Sequence, residues 1–290
     1  MTEIWGVLAA VLSSGIGGTA VGATRYVMGM TDAVTLAALR FGVGALFLVP
    51  LVPLRGEAWP QQRDWPAVVG LGLLFFGLFP ILFNAALAFT SAARGALALA
   101  TLPLLTLLVG AALGAEALTA RKTAGVLLAM AGVALALAAG LGHAPPGAWR
   151  GDLTMVGAAL CMALYNVWSR PLIRRAGAIP FTAAGMTVGA IVLAIVSALG
   201  GGLASAGAFG TPQWLAVAYL GVIGSAFVFF LWGFALSRTT PTRVAISVTV
   251  NPITASLFGA AVLGEPIGWN IVAGLATVAA GIWLATRDPR

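Results

Sequence analysis

The chain has 290 residues, of which 60% are hydrophobic and only 8% charged, with a mean hydropathy of +1.03 and a formal net charge of +7. A soluble domain carries about 25% charged residues, so a water-soluble globule is excluded and the solvent of this chain is lipid. The single cysteine, Cys161, excludes a disulfide or a cysteine metal site, and the basic residues sit in short loops between apolar runs, which argues against a nucleic-acid partner.

A helix needs about 20 apolar residues to cross the hydrocarbon core. Such runs are predicted at roughly 4–25, 33–53, 66–89, 94–114, 121–141, 151–172, 180–202, 213–236, 242–263 and 268–286. The expected fold class is therefore all-α, a polytopic membrane protein of ten transmembrane helices. No basic segment precedes the first run, which reads as a retained helix rather than a signal peptide. Punctuation falls between the runs, as in LRGEAWPQQRDWP, GHAPPGAWRG and FGTPQW.

The chain is written twice. PLLTLLVGAALGAE begins at Pro103 and PITASLFGAAVLGE at Pro252, 149 residues on (252 less 103), and six of the fourteen positions are identical. The same offset pairs Trp65 with Trp214, Gly72 with Gly221, Arg94 with Arg243, Gly125 with Gly274 and Gly132 with Gly281. A fixed period over this length means duplication, giving expected repeats at 1–144 and 145–290. Five spans per copy is an odd number, so the second copy enters the membrane inverted, which is a transporter architecture.

Charge sets the orientation. Eleven basic residues (Arg55, Arg63, Arg121, Lys122, Arg170, Arg174, Arg175, Arg238, Arg243, Arg287 and Arg290) fall on the side of the termini. Arg25, Arg94 and Arg150 fall on the far side. This positive-inside bias predicts cytoplasmic termini.

The ten spans, the two halves, the glutamates Glu116 and Glu265 after spans four and nine, and the stretches TLAALRFGVGALFL, ALYNVWSRPLI and LGEPIGWNIVAGLATVAAGI together resemble the EamA type of the drug/metabolite transporter superfamily. The resemblance covers nearly the whole chain. It implies a basket of spans one to four and six to nine around a central cavity, with spans five and ten at the periphery. It includes an amino-acid exporter branch. Span one departs from many members in reading LSSGIGG without a tryptophan before the serine.

Polar groups inside a bilayer are costly and face a cavity or a partner helix. Ser247, Asn251 and Thr254 share one face of span nine, while their counterparts Ala98, Leu102 and Leu105 are apolar. They are the leading candidates for substrate hydrogen bonding, with interhelical bonding as the alternative. Ser14, Asn84 and Thr101 are further intramembrane polar candidates. Phe79, Phe83, Tyr165 and Trp168 are the aromatic candidates, the last two because their polar tips need partners when buried.

Arg40, two turns into span two, could clamp a substrate carboxylate. It could equally snorkel or bind helix-end carbonyls. Pro103 and Pro252 each remove a backbone bond, freeing carbonyls near Leu99 and Val248, and are candidate hinges. Arg94 and Arg243 read as gate or loop anchors. Glu116 and Glu265 read as structural carboxylates near helix N-termini. The glycine pairs Gly125/Gly132 and Gly274/Gly281 each lie on one helix face, serving either intramolecular packing or a homodimer seam.

No carboxylate remains in mid-span, and the one histidine, His143, is in a loop. Catalysis, a metal and a cofactor are therefore not expected, and the carrier reads as a facilitator without proton coupling. The expected function is export of small metabolites, aromatic or apolar amino acids foremost, across a bacterial inner membrane, by a monomer or weak homodimer. Drug efflux and a non-transporting scaffold are the alternatives.

Overall fold

The computed structural model describes residues 2–138, 146–263 and 268–286. Every regular element among them is helical. In order these are α1 (Thr2–Met28), α2 (Ala33–Leu54), α3 (Trp65–Gly72), α4 (Phe79–Leu87), α5 (Ala92–Leu99), α6 (Leu102–Ala112), α7 (Ala120–Leu137), α8 (Ala148–Ala176), α9 (Ala178–Leu199), α10 (Thr211–Gly221), α11 (Val228–Arg238), α12 (Pro241–Ala245), α13 (Asn251–Leu263) and α14 (Trp269–Thr286).

Eight helical segments among the described residues are long and apolar enough to cross a membrane. The predicted spans at 151–172 and 242–263 are not among them. α8 carries Asp152 and Asn166 in its apolar run, and the other run is divided into α12, a 3₁₀ turn at Ile246–Val250 and α13. The exterior is apolar, with Leu46, Leu54, Leu199 and Trp269 each more than three-quarters exposed, as lipid requires.

Interruptions in the helices recur at the same offset as the sequence repeat. A π-helical segment joins α3 to α4 at Leu73–Leu78, and another joins α10 to α11 at Val222–Phe227. Such insertions loosen the backbone ladder and often mark functional sites. Before Pro103 the helix breaks between α5 and α6. Before Pro252 it tightens into the 3₁₀ turn, where the Asn251 N–H takes up the Val248 carbonyl. Hydroxyls repair these junctions: Thr101 Oγ1 donates to the Ala98 carbonyl at 2.6 Å and Thr249 Oγ1 to that of Ile246 at 2.6 Å. Local 3₁₀ adjustment and Ser/Thr bonding are how buried helices tolerate proline in lipid.

The first helix of each half packs with the other half. α1 lies along α11, α12 and α13, whereas α8 lies along α4, α5 and α6. α2 and α9 pack on one another between these groups, and α7 packs against α14. At the α7–α14 seam the four glycines face each other. A Cβ on Gly281 would sit 2.5 Å from the Ala129 nitrogen, and one on Gly132 would sit 3.0 Å from the Gly274 carbonyl oxygen. The glycine faces are thus filled within one chain, so they offer no homodimer seam.

Candidate functional site

The polar face of the broken ninth run meets α1. Ser14 and Ser247 are joined through their hydroxyls at 2.9 Å, and Ser247 Oγ donates onward to the Val244 carbonyl at 2.7 Å. Ser14 is therefore the donor to Ser247. Gly17 and Gly18 let α1 come close: a Cβ on Gly18 would fall 1.9 Å from Thr254 Oγ1, and one on Gly17 3.4 Å from Asn251 Oδ1. Thr254 spends its hydroxyl on its own helix, within 3.1 Å of the Asn251 carbonyl and 3.2 Å of that of Val250. Asn251 Oδ1 is buried and accepts no hydrogen bond among the described residues. Of the predicted stripe, Ser247 and Thr254 bond within the protein, and Asn251 alone keeps an open acceptor.

Tyr165 is buried in an aromatic cluster rather than exposed to a void. Its ring stacks on Phe75 at 4.2 Å; Phe76 lies 4.9 Å from Phe75 and 6.1 Å from Tyr165, Phe229 lies 5.4 Å from Phe75, and Phe41 packs on Phe76 and Phe229 at 5.5 and 5.9 Å. Phe79 joins this cluster through Phe75, and Phe83 follows Phe79 at 5.9 Å. Trp168 corrects its expectation: it is 47% exposed, on the same outer stripe of α8 as Leu153, Leu160 and Pro171. That stripe repeats at helical spacing and is the lipid-directed face. Asn84 and Thr101 are half-buried, and no described contact brings them to the Asn251 seam.

Arg40 has a partner in the fold. Its Nη2 donates to the Gly224 carbonyl at 2.7 Å and its Nε to Ser225 Oγ at 2.9 Å. Both acceptors lie in the second π segment, where helical carbonyls are loosened. The first π segment has no such arginine: the counterpart of Arg40 is Gly189, where a Cβ would lie 2.6–2.8 Å from the Phe76 carbonyl group. One π segment is held by a guanidinium and the other by close backbone approach.

Arg94 and Arg243 sit in matching polar triads. Arg243 pairs with Glu3, and Thr239 Oγ1 donates to the same carboxylate at 3.1 Å. Arg94 pairs with Asp152, and Thr90 Oγ1 donates to that carboxylate at 2.7 Å. Glu3, Thr90 and Arg94 become Asp152, Thr239 and Arg243 at the offset of the repeat. Each triad fastens the first helix of one half to the third and fourth runs of the other. The carboxylate members were not among the predicted residues, although the offset alone relates them.

Glu116 is also bound across the halves. Its Oε1 accepts the Thr242 N–H at the start of α12 at 2.8 Å, and its Oε2 accepts Lys122 Nζ at 3.0 Å. The N-terminal amide it serves is that of α12, not of the α7 helix that follows it in sequence. Glu265 and His143 lie outside the described residues.

A second polar group escaped the sequence reading. Trp232 Nε1 donates to Asn166 Oδ1 at 2.9 Å, joining α11 to α8. Asn166 and Ser169, one turn apart, are fully buried. The signal was an asparagine inside the apolar run ALYNVW.

Burial differs between the halves. Residues 243–249 are all buried, whereas of their seven counterparts only Gly95 and Ala100 are buried and Arg94, Ala96, Leu97, Ala98 and Leu99 are half-buried.

Three comparisons bear on these features. The model of the EamA-like transporter family matches the chain twice, over residues 4–138 and 149–287. An uncharacterized transporter of Archaeoglobus fulgidus is 23% identical over 289 residues, covering 98% of each chain. An uncharacterized protein of Pseudomonas aeruginosa is 33% identical over 258 residues, covering 87% of this chain and 84% of its own. A probable terminal-alkyne amino-acid exporter of Streptantibioticus cattleyicolor is 27% identical over 255 residues, covering 87% and 83%. One solved crystal structure superposes with a TM-score of 0.82 at 24% identity over 98% of this chain and 96% of that one, which establishes a shared fold. Apolar helices, paired interruptions and a family model that fits each half make this chain a multi-pass membrane transporter of the EamA-like family.

Proposed function

We propose that the protein is a carrier that exports small metabolites, above all amino acids, by alternating access between two inverted five-helix repeats. The repeats run over 1–144 and 145–290, and ten spans leave both termini in the cytoplasm of a bacterial inner membrane. The observation that carries this reading is the recurrence of π segment, proline break and carboxylate–arginine–threonine triad at one offset. With five spans per copy, matching features fall on opposite faces, as exchange of conformations between halves demands. The half-buried Arg94 and Ala96 of α5 against the buried α12 support an outward-facing conformation. Pro103 and Pro252, at the two helix breaks, are the hinges.

Asn251 Oδ1 is an open acceptor suited to a substrate ammonium, and Ser14, Ser247 and Thr254 set its surroundings. Arg40, Arg94, Arg243 and Glu116 are structural. The amino-acid exporter among the relatives supports the same substrate class. With no carboxylate predicted in mid-span, the carrier works as a facilitator driven by the substrate gradient.

Reconstituted protein is expected to exchange labelled phenylalanine or leucine across liposomes with or without an imposed pH gradient. Asn251→Ala raises the half-saturation concentration about tenfold, as loss of one hydrogen bond to a charged group predicts. In the same assay the Pro103→Ala/Pro252→Ala protein turns over more slowly at unchanged half-saturation. Strict dependence on the pH gradient contradicts the facilitator reading, and extrusion of dyes without amino-acid exchange favours drug efflux.

A further inference from the structure

Asn166 poses a problem of hydrogen-bond supply. Its Oδ1 is used by Trp232, but its Nδ2 has no acceptor among the described residues, and the residue is fully buried. Ser169, on the same face one turn on, is fully buried with an unpartnered hydroxyl. Gly233, next to Trp232, lies against Thr182, where an added Cβ would be 3.2 Å from Oγ1. The Thr182 hydroxyl is buried and unpartnered too. A buried polar group left unpaired is expensive; one of these three belongs to Asn166 itself, one lies a turn further along α8, and the third lies against the residue that follows Trp232. The scaffold does not require them: the counterparts of Asn166, Ser169, Thr182 and Trp232 are Gly17, Ala20, Ala33 and Phe83.

The bond lies between the two packed groups. α11 belongs with α1, and α8 belongs with α4, α5 and α6. Two further bonds cross the same boundary, from Arg170 Nε to the Leu236 carbonyl at 3.3 Å and from the Thr242 N–H to Glu116 Oε1 at 2.8 Å. At the mirrored register Gly17 and Phe83 cannot replace the Asn166–Trp232 bond, nor can Val21 supply the arginine donor. Among the described residues the first two of these closures have no counterpart at the other end of the boundary.

We propose that Asn166, Ser169, Thr182 and Trp232 form a second substrate-binding wall on the cytoplasmic side, sealed in this conformation by the Asn166–Trp232 bond. The inference rests on the carrier reading above. Separation of α11 from α8 frees the indole N–H and sets it beside the Asn166 amide and two hydroxyls. Four donors then face one gap, which suits an acceptor-rich group, a carboxylate. Asn251 offers the complementary acceptor for an ammonium on the other side of the path.

The test uses full-length protein with Cys161→Ser, which leaves no other cysteine, and Ser169→Cys as reporter. A membrane-impermeant thiol reagent is applied to vesicles of either orientation. Trp232→Phe, which keeps the ring and removes the donor, is expected to speed labelling from the cytoplasmic side about tenfold, within the range of couplings that bias two-state elements. Labelling from outside stays unchanged. Phenylalanine slows the labelling, and phenethylamine, which lacks the carboxylate, does not. Thr182→Cys serves as reporter if Ser169→Cys fails to reach the membrane. Unchanged labelling in Trp232→Phe, faster labelling from outside, or equal protection by both compounds overturns the proposal. Amino-acid exchange with no cytoplasmic access to position 169 or 182 sinks this inference alone. The expected access pattern without any amino-acid exchange sinks the transport reading instead.

Discussion

Gly281→Leu is expected to leave little folded protein in the membrane. α7 and α14 lie so close that even a methyl group at position 281 would stand 2.5 Å from the Ala129 nitrogen and 2.7 Å from the Gly125 carbonyl oxygen. Those neighbours are main-chain atoms of another helix and cannot rotate away. In lipid no hydrophobic drive pulls helices together, and their association rests on close packing of small residues. Forcing four extra carbons into this seam exceeds the roughly 1–3 kcal/mol usual for overpacking, because the whole of α14 must shift. Gly157→Leu is the control, since nothing lies within 4 Å of an added Cβ there. Membrane-fraction abundance and thermal unfolding in detergent read the difference. Equal stability of the two variants would mean that α7 and α14 do not pack as described.

The second large effect is expected at Glu116. Its side chain is only 1% exposed, and it binds both the Thr242 N–H and Lys122. Glu116→Ala leaves the buried Thr242 N–H at the start of α12 without its acceptor and takes the carboxylate from the part-buried Lys122 ammonium. A buried donor left unsatisfied costs about 1–3 kcal/mol. Glu116→Gln keeps an oxygen for Thr242 and loses only the charge, so it falls between the wild type and the alanine variant. Thermal melts of the three proteins give the order. An alanine variant as stable as the glutamine one would show that the Thr242 contact contributes nothing.

Eight of the predicted spans were legible because apolar run length is a direct consequence of bilayer thickness, and the offset of the two halves could be read letter by letter. The interruptions were legible in part. Pro103 and Pro252 announced a break, but nothing in LLFFGL or VIGSAF announces a π segment, which arises where α9 and Arg40 take up the loosened backbone. Helical spacing placed Ser247, Asn251 and Thr254 on one face. It could not say that the first bonds Ser14 and the third bonds its own backbone, because those outcomes depend on how near Gly17 and Gly18 bring α1. Trp168 was misplaced for a related reason. Tyr165 and Trp168 are one turn apart, yet the burial boundary of α8 runs between them. The crossed pairs Glu3–Arg243 and Asp152–Arg94 needed knowledge of which helix of one half lies in the other, and that exchange is a property of the packing alone.

The proposed inverted relation of the halves is tested most directly by two matched positions, Gln62 and Thr211, which each open a helical element, are both exposed and are related by the repeat offset. In the Cys161→Ser protein each is replaced by cysteine and treated with an impermeant maleimide in right-side-out and inside-out vesicles. The account predicts that Gln62→Cys reacts only from the cytoplasmic face and Thr211→Cys only from the outer face. Reaction of both from the same face would contradict it.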